Sequence, residues 1–397
     1  MKGNGSSYFL PRDLHPLAWW LWALCMAVAA SRTTNPWLLA LIIAVVCHVV
    51  VSRKADAPWA KAFRLYLYLA VAIVILRVAF RVLFGGAIGT TVLVHLPGLD
   101  LPHWAAGIQI LGDITAENLL IGAYDGLRLA TMLVCLGAAN ALANPKRLLK
   151  SMPSALYEVG TAVTVAISVF PQLAESVVRV RRARRLRGDA GGRMHGLRSV
   201  IVPVLADALD RSMHLAAAMD ARGYGRRARA DARAAAISGT LMLAGLIGIC
   251  IGVYISLDAT APVTVTVPVL LIGCAAAGAG FLLAGRRVER SRYRPDPWRL
   301  AEAVTGISGL APAALMIAGG AVASTGAGDV LHPSVIPLMW PQVSWMLFIG
   351  ILAGILPSFL TPAPRTLADI DEVADANTDH PGAGEHADPV GVTEVRS

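Results

Sequence analysis

Charged residues are scarce in this chain: only 15% of its 397 residues are Asp, Glu, Lys or Arg. A soluble globular domain carries about a quarter. Hydrophobic residues make up 56% of the chain, and the mean hydropathy is +0.59. This composition excludes an ordinary soluble domain and predicts an all-α fold, that of a polytopic helical membrane protein.

Motifs for catalysis and metal binding are also missing. No lysine follows a glycine, so the Gly-Lys-Ser/Thr loop that binds nucleotide phosphates cannot form here. There is no His-Glu-x-x-His pair and no Gly-x-Ser-x-Gly elbow, and no two cysteines have the spacing of metal ligands. We therefore expect no enzyme activity, no cofactor and no metal site, and any ATP hydrolysis would take place in a partner protein.

Long apolar runs are present instead. Runs of about 18 residues or more are long enough to cross the hydrocarbon core of a bilayer. They predict eight spans: Pro16–Ala30, Trp37–Val51, Phe63–Phe84, Asn118–Ala143, Ile237–Ile255, Val263–Ala284, Thr305–Ala323 and Pro337–Leu360. The dipeptide Asn35-Pro36 is typical of a turn followed by a helix start. The pairs Gly248/Gly252 and Gly350/Gly354 predict close helix packing inside the chain.

Three loops between the predicted spans each carry a cluster of basic residues, most of which are arginine. Such loops remain on the cytoplasmic side of a membrane. Their placement predicts that both termini are cytoplasmic and that the segment Gly85–Glu117 lies outside. The three loops contain Arg53, Lys54, Lys61 and Arg64; Lys146, Arg147 and Lys150; and Arg286, Arg287, Arg290, Arg292, Arg294 and Arg299.

The apolar segment Pro153–Pro171 conflicts with a simple count of crossings, because basic residues flank it on both sides. A full crossing would reverse the orientation of every later span. We therefore expect this segment to dip into the membrane or lie along its inner face. Pro153 and Pro171 would break the helix at either end.

An arginine-rich insert follows, with fourteen arginines and six acidic residues between Glu175 and Arg233. Apolar residues recur in it at three- and four-residue spacing, which predicts two amphipathic helices. Both are too polar to span the membrane, so they would lie on it or pack on each other. The two stripes are Leu173, Val177, Val180 and Ala183, and Val202, Leu205, Leu209, Met213 and Ala216.

Each predicted helix closes on an Arg-Gly step, at Leu186-Arg187-Gly188 and at Ala221-Arg222-Gly223. Glycine after a helix adopts the left-handed conformation at little cost, and arginine complements the helix dipole, so each step could be an ordinary helix end. Attraction to anionic lipid is a second explanation. The presence of two Arg-Gly steps within one insert favours a docking role instead. A guanidinium is suited to docking because it can hold a carboxylate or a backbone carbonyl of a partner bidentately.

Residues 211–225, with the sequence RSMHLAAAMDARGYG, resemble a coupling helix of the transmembrane T component of energy-coupling factor transporters, the EcfT/CbiQ-like family. In that family two Ala-Arg-Gly-type motifs end two long cytoplasmic helices. The first copy in this chain departs from the pattern, with Leu186 in place of alanine. Similar segments at Asn35-Pro36, 144–149, 155–160 and 293–298 extend the resemblance over roughly Leu14 to Trp298.

The resemblance implies a non-enzymatic coupling subunit of an ATP-driven uptake transporter for a vitamin or metal ion, in a bacterial plasma membrane. Its implied partners are two ATP-binding-cassette ATPase subunits and a substrate-binding membrane S component, with no nucleic acid. The residues it places against the ATPase subunits are Arg187, Gly188, Ala221, Arg222 and Gly223.

The chain then divides into four predicted domains. Residues 1–143 form the N-terminal transmembrane helices, and residues 144–233 form a cytoplasmic coupling module with two arginine-tipped helices. Residues 234–360 form the C-terminal transmembrane helices. Residues 361–397 form an acidic cytoplasmic tail, which has too few apolar residues to fold and is expected to be disordered.

Four charged residues inside predicted spans leave another function open. Arg77 and Arg81 lie in the third span, and Asp125 and Arg128 lie in the fourth. Charges in lipid cost a few kcal/mol each and usually pair, so we expect intramembrane charge pairing among them. A stand-alone secondary carrier would instead use them to line a transport path. A lipid-facing scaffold would have no transport role at all.

Overall fold

The computed structural model describes residues 11–54, 62–84, 89–95, 99–100, 109–110, 112–186, 193–223, 232–257, 262–286, 297–322 and 328–364. Over this part of the chain the fold is almost entirely helical, as the composition predicted. The helices are α1 Pro16–Ser31, α2 Pro36–Arg53, α3 Phe63–Phe84, α4 Ala116–Leu142, α5 Pro145–Lys150, α6 Tyr157–Leu186, α7 Arg193–Ala221, α8 Ala232–Leu257, α9 Val263–Gly285, α10 Leu300–Val322, α11 Gly328–Leu331, α12 Trp345–Leu352 and α13 Pro357–Leu360, with 3-10 turns at Ser154–Leu156 and Ala353–Ile355.

Seven of the described helices are long and apolar enough to cross a membrane. They are α2, α3, α4, α6, α8, α9 and α10, while α1 and the stretch Trp345–Leu360 are apolar but shorter. Six of the seven match predicted spans within a few residues. The seventh, α6, is apolar enough to cross a membrane because of the residues in its first half.

One of the two sequence predictions about proline was wrong. Pro171 does not end a helix but lies inside α6, which continues for 30 residues. One proline removes a single backbone hydrogen bond, and a long helix can absorb that loss as a local bend. Pro153 does precede the 3-10 turn at Ser154–Leu156 that leads into α6.

The last predicted span, Pro337–Leu360, was also wrong at its start. The helical part begins only at Trp345 and is interrupted by the 3-10 turn at Ala353–Ile355. Pro337 and Pro341 are four residues apart and both lack a backbone N–H, so no regular helix forms there.

Short strands, which the sequence did not predict, lie between α3 and α4. β1 (Val92–Val94) pairs with β4 (Ile114–Thr115), and β2 (Leu99–Asp100) pairs with β3 (Gln109–Ile110), both antiparallel. They belong to the segment that the charge pattern assigns to the outside.

The contacts divide the chain into two compact units, one of Met1–Leu148 with Asp296–Ser397 and one of Leu149–Pro295. In the first unit α4 packs against α1, α2 and α3, and α1 packs against α10. The indole N–H of Trp22, fully buried, donates to the Gly354 carbonyl at 3.0 Å. The limits of the predicted domains stay predictions.

The turn between α1 and α2 confirms Asn35-Pro36 as a helix start. The Asn35 Oδ1 accepts a hydrogen bond from the Trp37 N–H at 3.1 Å, which caps α2. Its Nδ2 donates to the carbonyls of Val330 at 2.8 Å and Gln342 at 2.7 Å. One buried side chain therefore caps a helix and holds two distant segments beside it.

In the second unit α8 packs closely on α9 along small residues. A Cβ at Gly248 would lie 3.1 Å from the Cα of Gly273, so the two backbones are almost in contact. Gly350 and Gly354 likewise meet Leu315 and Met26 of the first unit. The prediction that these glycine pairs serve packing inside the chain is confirmed.

Candidate functional site

The C-terminal end of α7 carries the better-matched Arg-Gly step. The Gly223 N–H donates to the Asp220 carbonyl at 2.9 Å, and the glycine has a φ of +75°. This is the left-handed helix end that the sequence predicted, and glycine adopts it at little cost. The Arg222 side chain is exposed and makes no hydrogen bond or ion pair with any described residue. It stands at the tip of a 29-residue helix.

The predicted apolar stripe of α7 is real but uncovered within the described chain. Leu209 is 64% exposed and Met213 is 72% exposed, and Val202 and Leu205 are exposed as well. α7 is not among the described helices that are apolar enough to cross a membrane. A stripe of large apolar side chains on such a helix is available to a partner.

A different edge of α7 meets α6. Val204 is buried there, and the α6 stripe residues Leu173 and Val177 are half-buried around the buried Ser176. The two amphipathic helices therefore pack on each other, as one of the predicted alternatives required. They do so without using the α7 stripe.

A polar brace crosses from α6 to α7 at this contact. The Ser176 hydroxyl donates to Asp207 Oδ2 at 2.8 Å, and Arg211 Nε donates to Asp207 Oδ1 at 3.2 Å. Arg211 Nη1 also reaches Gln172 Oε1 at 3.3 Å. The Ser176 hydroxyl and then the Arg211 guanidinium hold the pKa of Asp207 below its ordinary value.

We expect Asp207→Asn to loosen the α6–α7 contact, because the amide carries no charge to hold Arg211. Spin labels at the exposed positions Val178 and Ser212 would report the separation of the helices, and the distance distribution should broaden. Because the pKa of Asp207 is lowered, its contribution is complete above about pH 3.9 and is lost as the pH falls further. The unsubstituted protein should therefore keep a narrow distribution at neutral and mildly acidic pH.

Asp210→Asn is the matched control, since Asp210 is an exposed carboxylate on the same helix and no described residue bonds it. Equal broadening in the two variants would show that charge on α7, rather than the brace, sets the distance.

The first Arg-Gly step, Arg187-Gly188, lies outside the described residues, which in α6 end at the exposed Leu186. Its role in a partner contact stays a prediction. The acidic tail from Asp369 onward also lies outside the described residues.

The charged residues predicted inside the spans lie on α3 and α4. A Cβ at Gly126 would lie 3.2 Å from the Cβ of Arg77, and one at Gly122 would lie 3.0 Å from the Cγ of Arg81. The side chains of the two arginines therefore pack against the face of α4 that carries Gly122 and Gly126. Among these described charges, no ion pair within 4 Å joins either arginine to Asp125, so their pairing stays a prediction.

Arg128 takes a different partner. Its Nη2 donates to the carbonyl of Ser31, the last residue of α1, where a cation complements the helix dipole. Its buried Nε has no hydrogen-bond partner among the described residues. The sequence did not predict this contact, since it depends on which helix end the guanidinium reaches.

The sequence that forms these elements matches the model of a known protein family. The family model CbiQ, described as cobalt transport protein, matches residues 8–231, which is more than half of the 397 residues. The matched region contains α1 to α7, including the Arg222 tip, and ends before α8, whereas the resemblance in the sequence was predicted to reach Trp298. The resemblance itself is confirmed.

Proposed function

This chain belongs to the CbiQ family of cobalt transport proteins, and on that premise we propose that it is the coupling subunit of an ATP-driven uptake transporter. In this proposal two ATP-binding-cassette ATPase subunits dock on the cytoplasmic face. A separate substrate-binding membrane subunit supplies the specificity. The observation that carries the proposal is Arg222, an exposed guanidinium at the tip of a long helix within the matched region.

The tip has the chemistry of a docking anchor. A guanidinium presents a planar fork of donors that binds a carboxylate or two carbonyls in a partner's groove. Gly223 leaves the helical conformation directly after the arginine, so α7 itself does not extend past the guanidinium. Arg187 and Gly188 would form the equivalent anchor at the end of α6.

The exposed α7 stripe suits the substrate-binding subunit. Its side chains follow helical spacing, which is how an amphipathic helix contacts an apolar surface. The brace of Ser176, Asp207 and Arg211 would make α6 and α7 move together. A displacement of the helix tips by the ATPase subunits would then reach the substrate-binding subunit as one motion.

The chain has no nucleotide-binding loop of the Gly-Lys-Ser/Thr type, which supports the assignment of ATP hydrolysis to partner subunits. The family description favours a metal ion, cobalt, over a vitamin as the transported substrate. A fixed cargo site is not required in this chain, since the cargo would be bound by the separate membrane subunit.

The test is purification of the tagged chain from its native membrane in mild detergent, followed by identification of bound proteins and by cobalt uptake in vesicles. We expect two ATPase subunits and a small membrane protein to co-purify, and uptake to require ATP on the ATPase side. The control is the chain alone, which should transport no cobalt. Uptake by the chain alone, driven by an ion gradient, would contradict the proposal and identify a secondary carrier.

A further inference from the structure

Three arginines line a pocket in the first unit that plays no part in the proposed coupling. Arg12 lies before α1, Arg53 is the last residue of α2, and Arg147 lies in α5. The buried side chains of Leu14 and Trp19 line the same pocket. We call it the arginine pocket.

The arginine pocket lies where membrane-crossing helices end. Arg53 ends α2, and Leu142, which also lines the pocket, ends α4. The short helix α1 starts two residues after Leu14, and the rim residue Pro362 follows the end of α13. Helix ends of this kind lie at the depth of lipid headgroups.

Contacts within the chain hold each guanidinium in place. Arg12 pairs bidentately with the buried Glu302, at 2.9 and 3.2 Å. Arg53 Nε donates to the Pro357 carbonyl at 3.2 Å, and its Nη2 donates to the Ser358 carbonyl. These contacts fix each guanidinium plane before any ligand arrives and so orient its remaining N–H groups, which lowers the entropy lost on binding.

The charges of the pocket do not cancel. Glu302 neutralises Arg12, and Asp13 lies 3.5 Å from Arg147. Arg53 is held by neutral carbonyls, and no described carboxylate lies within 4 Å of it. With Glu302 and Asp13 both counted, one positive charge remains among the three arginines.

We propose that the arginine pocket binds the phosphate of an anionic phospholipid at the surface of the bilayer. Arginine is suited to phosphate because its planar fork matches two oxygens at once. The apolar side chains of Leu14 and Trp19 provide a surface for the glycerol and first methylenes, which a free phosphate ion would not use. Basic pockets between membrane helices bind anionic headgroups in this way.

The experiment is native mass spectrometry of the full chain purified with equal amounts of phosphatidylglycerol and phosphatidylcholine. One phosphatidylglycerol should be retained in preference to phosphatidylcholine. Arg53→Gln should lower its retention about five-fold, because it removes the arginine of the pocket that no described carboxylate neutralises. Arg147→Gln serves as a second variant in case Arg53→Gln does not fold.

Arg64→Gln is the matched control, because Arg64 is exposed near the start of α3 and lies outside the pocket. The Arg64→Gln variant should retain as much phosphatidylglycerol as the unsubstituted protein. Equal retention of the two lipids, or an equal loss in Arg64→Gln, would overturn the proposal in favour of a diffuse basic surface. Displacement of the lipid by millimolar inorganic phosphate would overturn it in favour of a free-phosphate site.

Discussion

Replacing Arg222 by glutamate should remove the ATPase subunits from the purified complex and lower ATP-driven cobalt uptake by at least about thirty-fold. Reversing the charge of an anchor that binds in a partner's groove costs about 2–5 kcal/mol of binding free energy. The change should leave the fold intact, because the Arg222 side chain makes no hydrogen bond or ion pair with a described residue and Gly223 keeps its turn. Co-purification and vesicle uptake measure the two effects separately.

Two companion variants separate the possible roles of Arg222. Arg222→Lys keeps the charge but loses the fork, so uptake should still fall if docking is bidentate. Arg233→Glu reverses another exposed charge, at the start of α8, and should leave the complex unaffected. If Arg222→Lys matches the unsubstituted protein while both glutamate variants lose uptake equally, the arginine serves lipid attraction and not docking.

Gly273→Leu should separate α8 from α9 and destabilise the second unit. A Cβ at Gly273 would lie 2.7 Å from the backbone N of Ile249 and 2.9 Å from the backbone C of Gly248. Backbone atoms cannot rotate away, so the helices themselves must move. Overpacking of this kind costs about 1–3 kcal/mol or more, and close packing is a main force between helices in lipid. The thermal unfolding midpoint in detergent should fall clearly.

Gly278→Leu in the same helix provides the control for Gly273→Leu. Gly278 is exposed, and a Cβ there would meet nothing within 4 Å. The two substitutions add the same side chain to α9, so any gain in helix propensity is shared. An equal midpoint for both variants would show that the α8–α9 contact has room to adjust.

Features set by neighbouring residues were predictable from the sequence. The apolar runs predicted most spans, since length and composition alone decide whether a helix suits lipid. Asn35 and Gly223 were predicted as a helix start and a helix end, because caps depend on a few adjacent residues. The packing of Gly248 followed from the same local pattern.

Features that depend on distant residues were not predictable in the same way. The Asp207–Arg211 spacing is visible in the sequence, but Ser176 joins it only when α6 and α7 cross. Likewise, α6 continues past Pro171 because the helix around it outweighs one missing hydrogen bond. A proline signals a possible break, and the surrounding chain decides whether the break occurs.

The uncovered stripe of α7 has a consequence for the life of the protein in the cell. A newly made copy that has not met its partners displays large apolar side chains on a helix that is not among the candidate membrane spans. Chaperones and proteases act on such surfaces, so we expect unassembled copies to be short-lived. The cell's supply of this chain would then follow that of its scarcest partner.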